Sequence, residues 1–114
     1  MKKNKQIAAW LKMGVGRGTA LAIALRSSRQ YIHQLSLIKK SISENQWSAI
    51  MYGIELVELD ERKNQKAIEH NIIKAALMSH SKDSDIRNYA LIQLDKWVHA
   101  IGVYHKCFGK EVAA

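Results

Sequence analysis

The sequence contains no proline and one cysteine, and its first 43 residues contain no Asp or Glu. The absence of proline removes the strongest helix breaker, which favours an all-α protein in a chain of 114 residues. The single cysteine, Cys107, cannot form an internal disulfide, and this suits a reducing compartment. Apolar runs are all shorter than the roughly 18 residues of a membrane span. We therefore expect a helical protein of the cytoplasm.

Positive charge is concentrated in the N-terminal part of the chain. Residues 1–43 contain nine Lys or Arg, whereas residues 44–114 contain nine basic and ten acidic residues. A basic region beside a nearly neutral one predicts a surface directed at a polyanion. Nucleic acid and an anionic lipid surface both fit this description.

Apolar periodicity divides the chain into two helical regions, at 1–58 and 62–110. In the first region, a helix ends at a glycine run (Gly14, Gly16 and Gly18), and two short helices follow it. Ser43 with Gln46 three residues later is a capping-box pattern, which predicts a further helix from residue 44 to about 57.

The second region is predicted to contain two helices, at about 68–78 and 85–104. The polar stretch 58–66 before them is predicted to be a loop or an exposed helical connector. Asp83 or Ser84 is the expected cap of the last helix. The predicted fold is thus a bundle of four to five helices followed by a helical oligomerisation region.

Residues 19–35, TALAIALRSSRQYIHQL, have the pattern of a helix-turn-helix. Such a motif needs a small residue where its two helices cross, and Ala22 is in that place. Leu21 and Leu25 on one helix, with Ile32 and Leu35 on the next, can close the pair into a core across a short turn.

This stretch resembles the Cro/repressor-type helix-turn-helix regulators of phages and bacteria, over about residues 7–57. The tract 28–35 is similar to their recognition helices. The family typically has glycine followed by an apolar residue at the turn, where this chain has Arg26 and Ser27. Because arginine tolerates a left-handed backbone less well than glycine, we expect a turn that is longer or of another shape.

The resemblance implies a set of base-contacting residues: Ser28, Arg29, Gln30, His33 and Gln34. Their chemistry fits, since Gln can bond adenine bidentately and Arg can bond guanine in the same way. The basic and hydroxyl residues that flank the motif are predicted to contact phosphates: Arg17, Thr19, Lys39 and Lys40.

The last helix has an apolar repeat with the spacing 4-3-4-3-4, formed by Ala90, Leu94, Trp97, Ile101, Tyr104 and Phe108. These residues could pack on the preceding helices of the same chain, or they could form an interface between subunits. We favour a homodimer with Leu94, Trp97, Ile101 and Tyr104 at the interface, since such regulators usually bind palindromic sites.

Catalytic and metal-ligand patterns are weak. His99, His105 and Cys107 are the nearest to a ligand cluster, but residues six apart on a helix face different sides. We therefore expect no enzymatic activity, metal or cofactor. The predicted function is sequence-specific binding of double-stranded DNA by a transcriptional repressor, which acts as a dimer and reads the major groove with a helix at 28–38. A helical inhibitor or adaptor of a partner protein and a peripheral membrane binder are the alternatives.

Overall fold

The computed structural model describes residues 1–37 and 41–109, and its secondary structure within these ranges is entirely helical, as predicted. The helices of the described residues are α1 (Lys3–Lys12), α2 (Arg17–Ala24), α3 (Arg29–Leu35), α4 (Glu44–Glu61), α5 (Gln65–Met78) and α6 (Ser84–Phe108). They form two compact units, Met1–Leu59 and a second unit from Asp60 onward. The division between them lies near the end of α4, close to the boundary predicted at 58–62.

The first unit has a core to which α1, α2, α3 and α4 all contribute. Its fully buried side chains include Ile7 and Trp10 of α1, Leu21 of α2 and Leu35 of α3. The apolar stripe of α4 adds Ile50, Ile54 and Val57, which recur at the spacing expected of one helix face.

The predicted capping box at the start of α4 is confirmed. The backbone N–H of Gln46 donates to Ser43 Oγ at 3.2 Å, and the backbone N–H of Ser43 donates to Gln46 Oε1 at 3.0 Å. Each side chain thus satisfies a backbone donor that the helix itself leaves unpaired. Further along α4, a Cβ on Gly53 would lie 2.9 Å from Leu21 Cδ1 and 2.8 Å from Leu25 Cδ2, so glycine lets α4 approach α2 closely.

The predicted polar connector at 58–66 is shorter than expected. Helix α4 continues to Glu61, and α5 begins at Gln65, capped by the side chain of Asn64. Glu58 is buried and its Oε2 accepts a hydrogen bond from Trp10 Nε1 at 3.1 Å. The carboxylate satisfies an indole that would otherwise be an unpaired donor in the core, so Glu58 belongs to the first unit and not to a solvated linker.

The second unit is built on the packing of α5 against α6. Ile68 of α5 and Trp97 and Ala100 of α6 form its buried centre, and Ile72, Ile101 and Tyr104 pack against them. Asp83 caps α6, as predicted, by accepting from the backbone N–H groups of Asp85 and Ile86.

This packing corrects the predicted subunit interface. Trp97 is fully buried within the chain itself and therefore cannot contact a second copy. Leu94, Ile101 and Tyr104 are half-buried, with Ile101 and Tyr104 packed on the same core. The 4-3 repeat of α6 thus describes mainly the contact with α5. Within the described ranges, no helix combines the length and apolar character needed to cross a membrane.

Candidate nucleic-acid interface

Helices α2 and α3 pack together as a helix-turn-helix pair. Ala22 is buried where a small residue was expected, and Leu21, Ile32 and Leu35 are fully buried beside it. The turn of residues 25–28 is closed by a hydrogen bond from the backbone N–H of Ser27 to the carbonyl of Ala22, at 2.9 Å. Ala22 and three of the four predicted apolar residues are therefore buried as the sequence pattern predicts, and the fourth, Leu25, is half-buried.

The turn itself differs from the expectation. Arg26 adopts a φ of +52°, and it is the one non-glycine residue of the described chain with a positive φ. Arg26 thus takes the left-handed conformation that glycine favours, although an arginine tolerates it less well. Its backbone strain is tolerated because the helices on both sides are fixed in the core.

Helix α3 is held at both ends. At its start, Ser28 Oγ accepts a hydrogen bond from the backbone N–H of Tyr31 at 3.1 Å. At its end, the buried Asn4 of α1 donates from Nδ2 to the carbonyl oxygen of Leu35 at 2.7 Å. Because α3 has only seven residues, these two contacts and the burial of Ile32 and Leu35 fix its orientation.

The outer face of α3 carries the predicted base-contacting residues. Arg29, Gln30, His33 and Gln34 are all exposed, and Ser28 is exposed at the helix start. By helical spacing, Gln30, His33 and Gln34 lie away from the buried Ile32 and Leu35, whereas Arg29 lies at the edge of the buried side, one turn before Ile32. This face combines a guanidinium, two amides and an imidazole, which can all form hydrogen bonds with base edges. Ser28 differs from the others because its hydroxyl already caps the helix.

The predicted phosphate contacts have different surroundings. Thr19 is exposed in the first turn of α2, where helix N–H groups have no partner within the helix. Lys39 and Lys40 lie outside the described residues. Arg26, which was not among the predicted contacts, is exposed in the turn and adds a cation beside α3.

Arg17 is placed in the interior, which corrects its assignment as a phosphate contact. Its side chain is 1% exposed, its Nη1 donates to the carbonyl of Trp10 at 2.8 Å, and its guanidinium lies 4.4 Å from the centre of the Trp10 ring. A Cβ on Gly14 would overlap the Arg17 side chain, so glycine at this position makes room for the arginine to fold back. The guanidinium and the carboxylate of Glu58 therefore both contact the same buried tryptophan.

Asn4 supports the candidate site through a contact that the sequence patterns did not identify. It lies three residues before Ile7, on the buried face of α1. A polar residue at that position in an amphipathic helix is a detectable signal, because a buried amide needs a hydrogen-bond partner. Its partner is the last carbonyl of the candidate reading helix.

The described residues contain no group of three His, Cys, Asp or Glu side chains that could hold a metal ion. Comparison of the chain with protein-family models, with curated proteins and with solved structures finds no match. A function for the surface of α3 is therefore inferred from its own geometry and chemistry.

Proposed function

We propose that this protein is a transcriptional regulator, acting as a repressor in the cytoplasm, which binds double-stranded DNA and reads its major groove with α3. The observation that carries the proposal is the two-sided character of α3. Its apolar residues close the helix-turn-helix into the core, whereas Arg29, Gln30, His33 and Gln34 are all directed outward. A helix presented in this way fits the width of the major groove, and these side-chain types bond base edges.

The charge of the first unit supports the same proposal. Residues 1–59 contain nine basic and three acidic residues. Lys3 is paired with Glu44, and Arg17 is buried. The exposed cations of this unit in the described chain are Lys2, Lys12, Arg26 and Arg29. Arg26 and Arg29 flank the start of α3, where attraction to phosphates would orient the helix on DNA.

The test begins with selection of bound fragments from a random duplex pool at low salt, using the full chain. The enriched site then serves as the cognate probe, and an unselected random duplex serves as the reference. Gln30→Ala should weaken cognate binding about 5- to 150-fold, the equivalent of about 1–3 kcal/mol for one lost bidentate base contact. Fluorescence anisotropy on both probes measures this loss, which should be small on the random duplex.

Asn88→Ala is the matched control, because it removes an exposed amide from α6 in the second unit. It should leave both affinities unchanged. Equal losses on cognate and random DNA for Gln30→Ala would show that α3 does not read bases. Absence of binding to any duplex at low salt would contradict the proposal as a whole and favour an adaptor that binds a protein partner.

A further inference from the structure

Helix α6 carries a second apolar stripe beside the one that packs on α5. It consists of Leu91, Leu94, Val98, Ile101 and Phe108, with the exposed His105 completing the spacing 3-4-3-4-3. Leu94, Ile101 and Phe108 belong to both repeats. Leu91 is 50% exposed, Val98 is 52% exposed and Phe108 is 57% exposed. Leu94 and Ile101 are half-buried, and Ile101 packs on the core of the second unit. We call this stripe the α6 seam. A 3-4 repeat of this kind is the pattern by which one helix packs along another.

Charge along α6 is arranged asymmetrically. Residues 83–95 contain Asp83, Asp85 and Asp95 with one cation, Arg87. Residues 96–109 contain Lys96, Lys106 and two histidines, and no acidic residue. In two copies of α6 that run in opposite directions, Asp95 of each copy would lie near Lys106 of the other, whereas Asp83 and Asp85 would lie beyond the end of the second helix. Opposed helix dipoles would favour the same direction.

We propose that the protein forms a homodimer in which two copies of α6 pack antiparallel along the α6 seam. We place the two helices in the register in which all six seam positions meet in pairs, since this register covers the whole seam. Leu91 of one copy faces Phe108 of the second copy, Leu94 faces His105, and Val98 faces Ile101. The two-fold axis passes between residues 99 and 100.

The edges of the seam agree with this register. Asp95 comes opposite the turn of the second copy that contains Gly102 and Lys106. Gly102 is exposed, and a Cβ there would meet no atom of the chain within 4 Å. The glycine leaves room for the second helix, and the lysine supplies a charge opposite to that of Asp95. At the far end, Tyr104 packs on Phe108 with ring centres 5.0 Å apart, which supports the Phe108 ring at the seam.

This inference rests on the proposed function in one respect, since a dimer supplies the two reading heads that a palindromic site requires. Its test uses the protein without DNA, so that its failure is distinguishable from a failure to bind DNA.

Disulfide cross-linking tests the direction of pairing. In a Cys107→Ser background, the variants Leu91→Cys and Phe108→Cys are prepared separately, mixed and oxidised mildly. The proposal predicts a cross-link between the two variants in the mixture and none in either variant alone. In the antiparallel register, two copies of position 91 are about 26 Å apart along the helix axis, which is far beyond the span of a disulfide. Cross-linking of each variant with itself would show parallel pairing, and the absence of any cross-link would contradict the dimer; both overturn the proposal.

Sedimentation equilibrium tests the seam with a matched pair of valines. Val98 lies in the seam, and Val103, which is 46% exposed, lies on the opposite flank of α6. Val98→Glu should weaken self-association on the order of 100-fold, because both copies then place a carboxylate in an apolar layer. Val103→Glu should leave the mass unchanged. Circular dichroism should show both variants folded, since neither valine is in the core. A monomeric wild-type protein, or equal effects of the two substitutions, would overturn the proposal.

Discussion

Two arginines of the first unit, Arg17 and Arg29, differ completely in their surroundings. Arg17 is buried over Trp10, whereas Arg29 is exposed at the start of α3. Arg17→Gln should lower the free energy of unfolding by about 3 kcal/mol, since it removes a buried cation–π contact and a charged hydrogen bond. Arg29→Gln should change stability by less than about 0.5 kcal/mol but weaken DNA binding.

Urea unfolding and anisotropy on the same two variants separate these effects. An Arg17→Gln variant that is as stable as the wild type but binds DNA more weakly would show that Arg17 contacts DNA, as the sequence predicted. A strongly destabilised Arg29→Gln variant would contradict the placement of α3.

The left-handed backbone of Arg26 leads to a second prediction, about the stability of the protein. Arg26→Gly should raise the free energy of unfolding by about 1 kcal/mol, because glycine adopts a φ of +52° without steric penalty. Arg26→Ala is the control, since it removes the same charge and keeps the strain. Thermal unfolding of the pair measures the difference. A gain of equal size in both variants would assign the effect to charge instead of backbone conformation.

Helix α3 is short, and its last carbonyl accepts a hydrogen bond from a side chain of another helix, α1. Asn4→Ala removes the 2.7 Å hydrogen bond to the carbonyl of Leu35 and leaves that carbonyl without this donor. We expect a loss of about 1–3 kcal/mol in unfolding free energy and faster amide hydrogen exchange in α3 than in α4. Asn45→Ala, at an exposed position in the first turn of α4, is the control. Unchanged exchange in α3 would show that the core alone holds the helix.

The elements also show how far sequence patterns extend. The positions of the helices and their caps follow from local rules, since Ser43 and Asp83 each bind backbone groups within three residues of themselves. The small crossing residue Ala22 also follows from the spacing of its neighbours in the helix-turn-helix. The burial of Glu58 was missed because its partner, Trp10, is 48 residues away in the sequence. The burial of Arg17 was missed although Trp10 is seven residues away, because the glycine run between them lets the arginine fold back. Charge alone predicts exposure, and only the folded chain shows that a partner compensates for burial.

From the sequence alone, the apolar residues of α6 form one repeat, whereas the structure separates a stripe that packs on α5 from the α6 seam. Many residues of this helix are apolar, so spacing alone cannot separate the contact with α5 from a contact with a second copy. The buried position of Trp97 and the exposed position of Val98 distinguish them.

For the whole chain, the position of Glu58 defines where the first unit ends. A fragment of residues 1–57 lacks the carboxylate that accepts from Trp10 Nε1, whereas a fragment of residues 1–63 retains it with all of α4. We expect the longer fragment to unfold cooperatively and to be more stable than the shorter one by about 2 kcal/mol. Urea unfolding monitored by circular dichroism makes the comparison. Equal stability of the two fragments would show that Glu58 contributes little. Glu58→Gln in the longer fragment keeps a hydrogen-bond acceptor for Trp10, so its free energy of unfolding should be close to that of the unchanged longer fragment.

Each of the two units contains one fully buried tryptophan, so tryptophan fluorescence can report on each unit separately. Trp10 is enclosed in the first unit with a guanidinium 4.4 Å from its ring centre, and Trp97 is enclosed in the second with Arg62 at 5.8 Å. Replacing the half-buried Trp47 and one of the other two by Phe leaves a single emitter in one chosen unit. The red shift of its fluorescence then reports when that tryptophan becomes exposed to water. Comparing the two variants gives the order in which the two units unfold, without any added label.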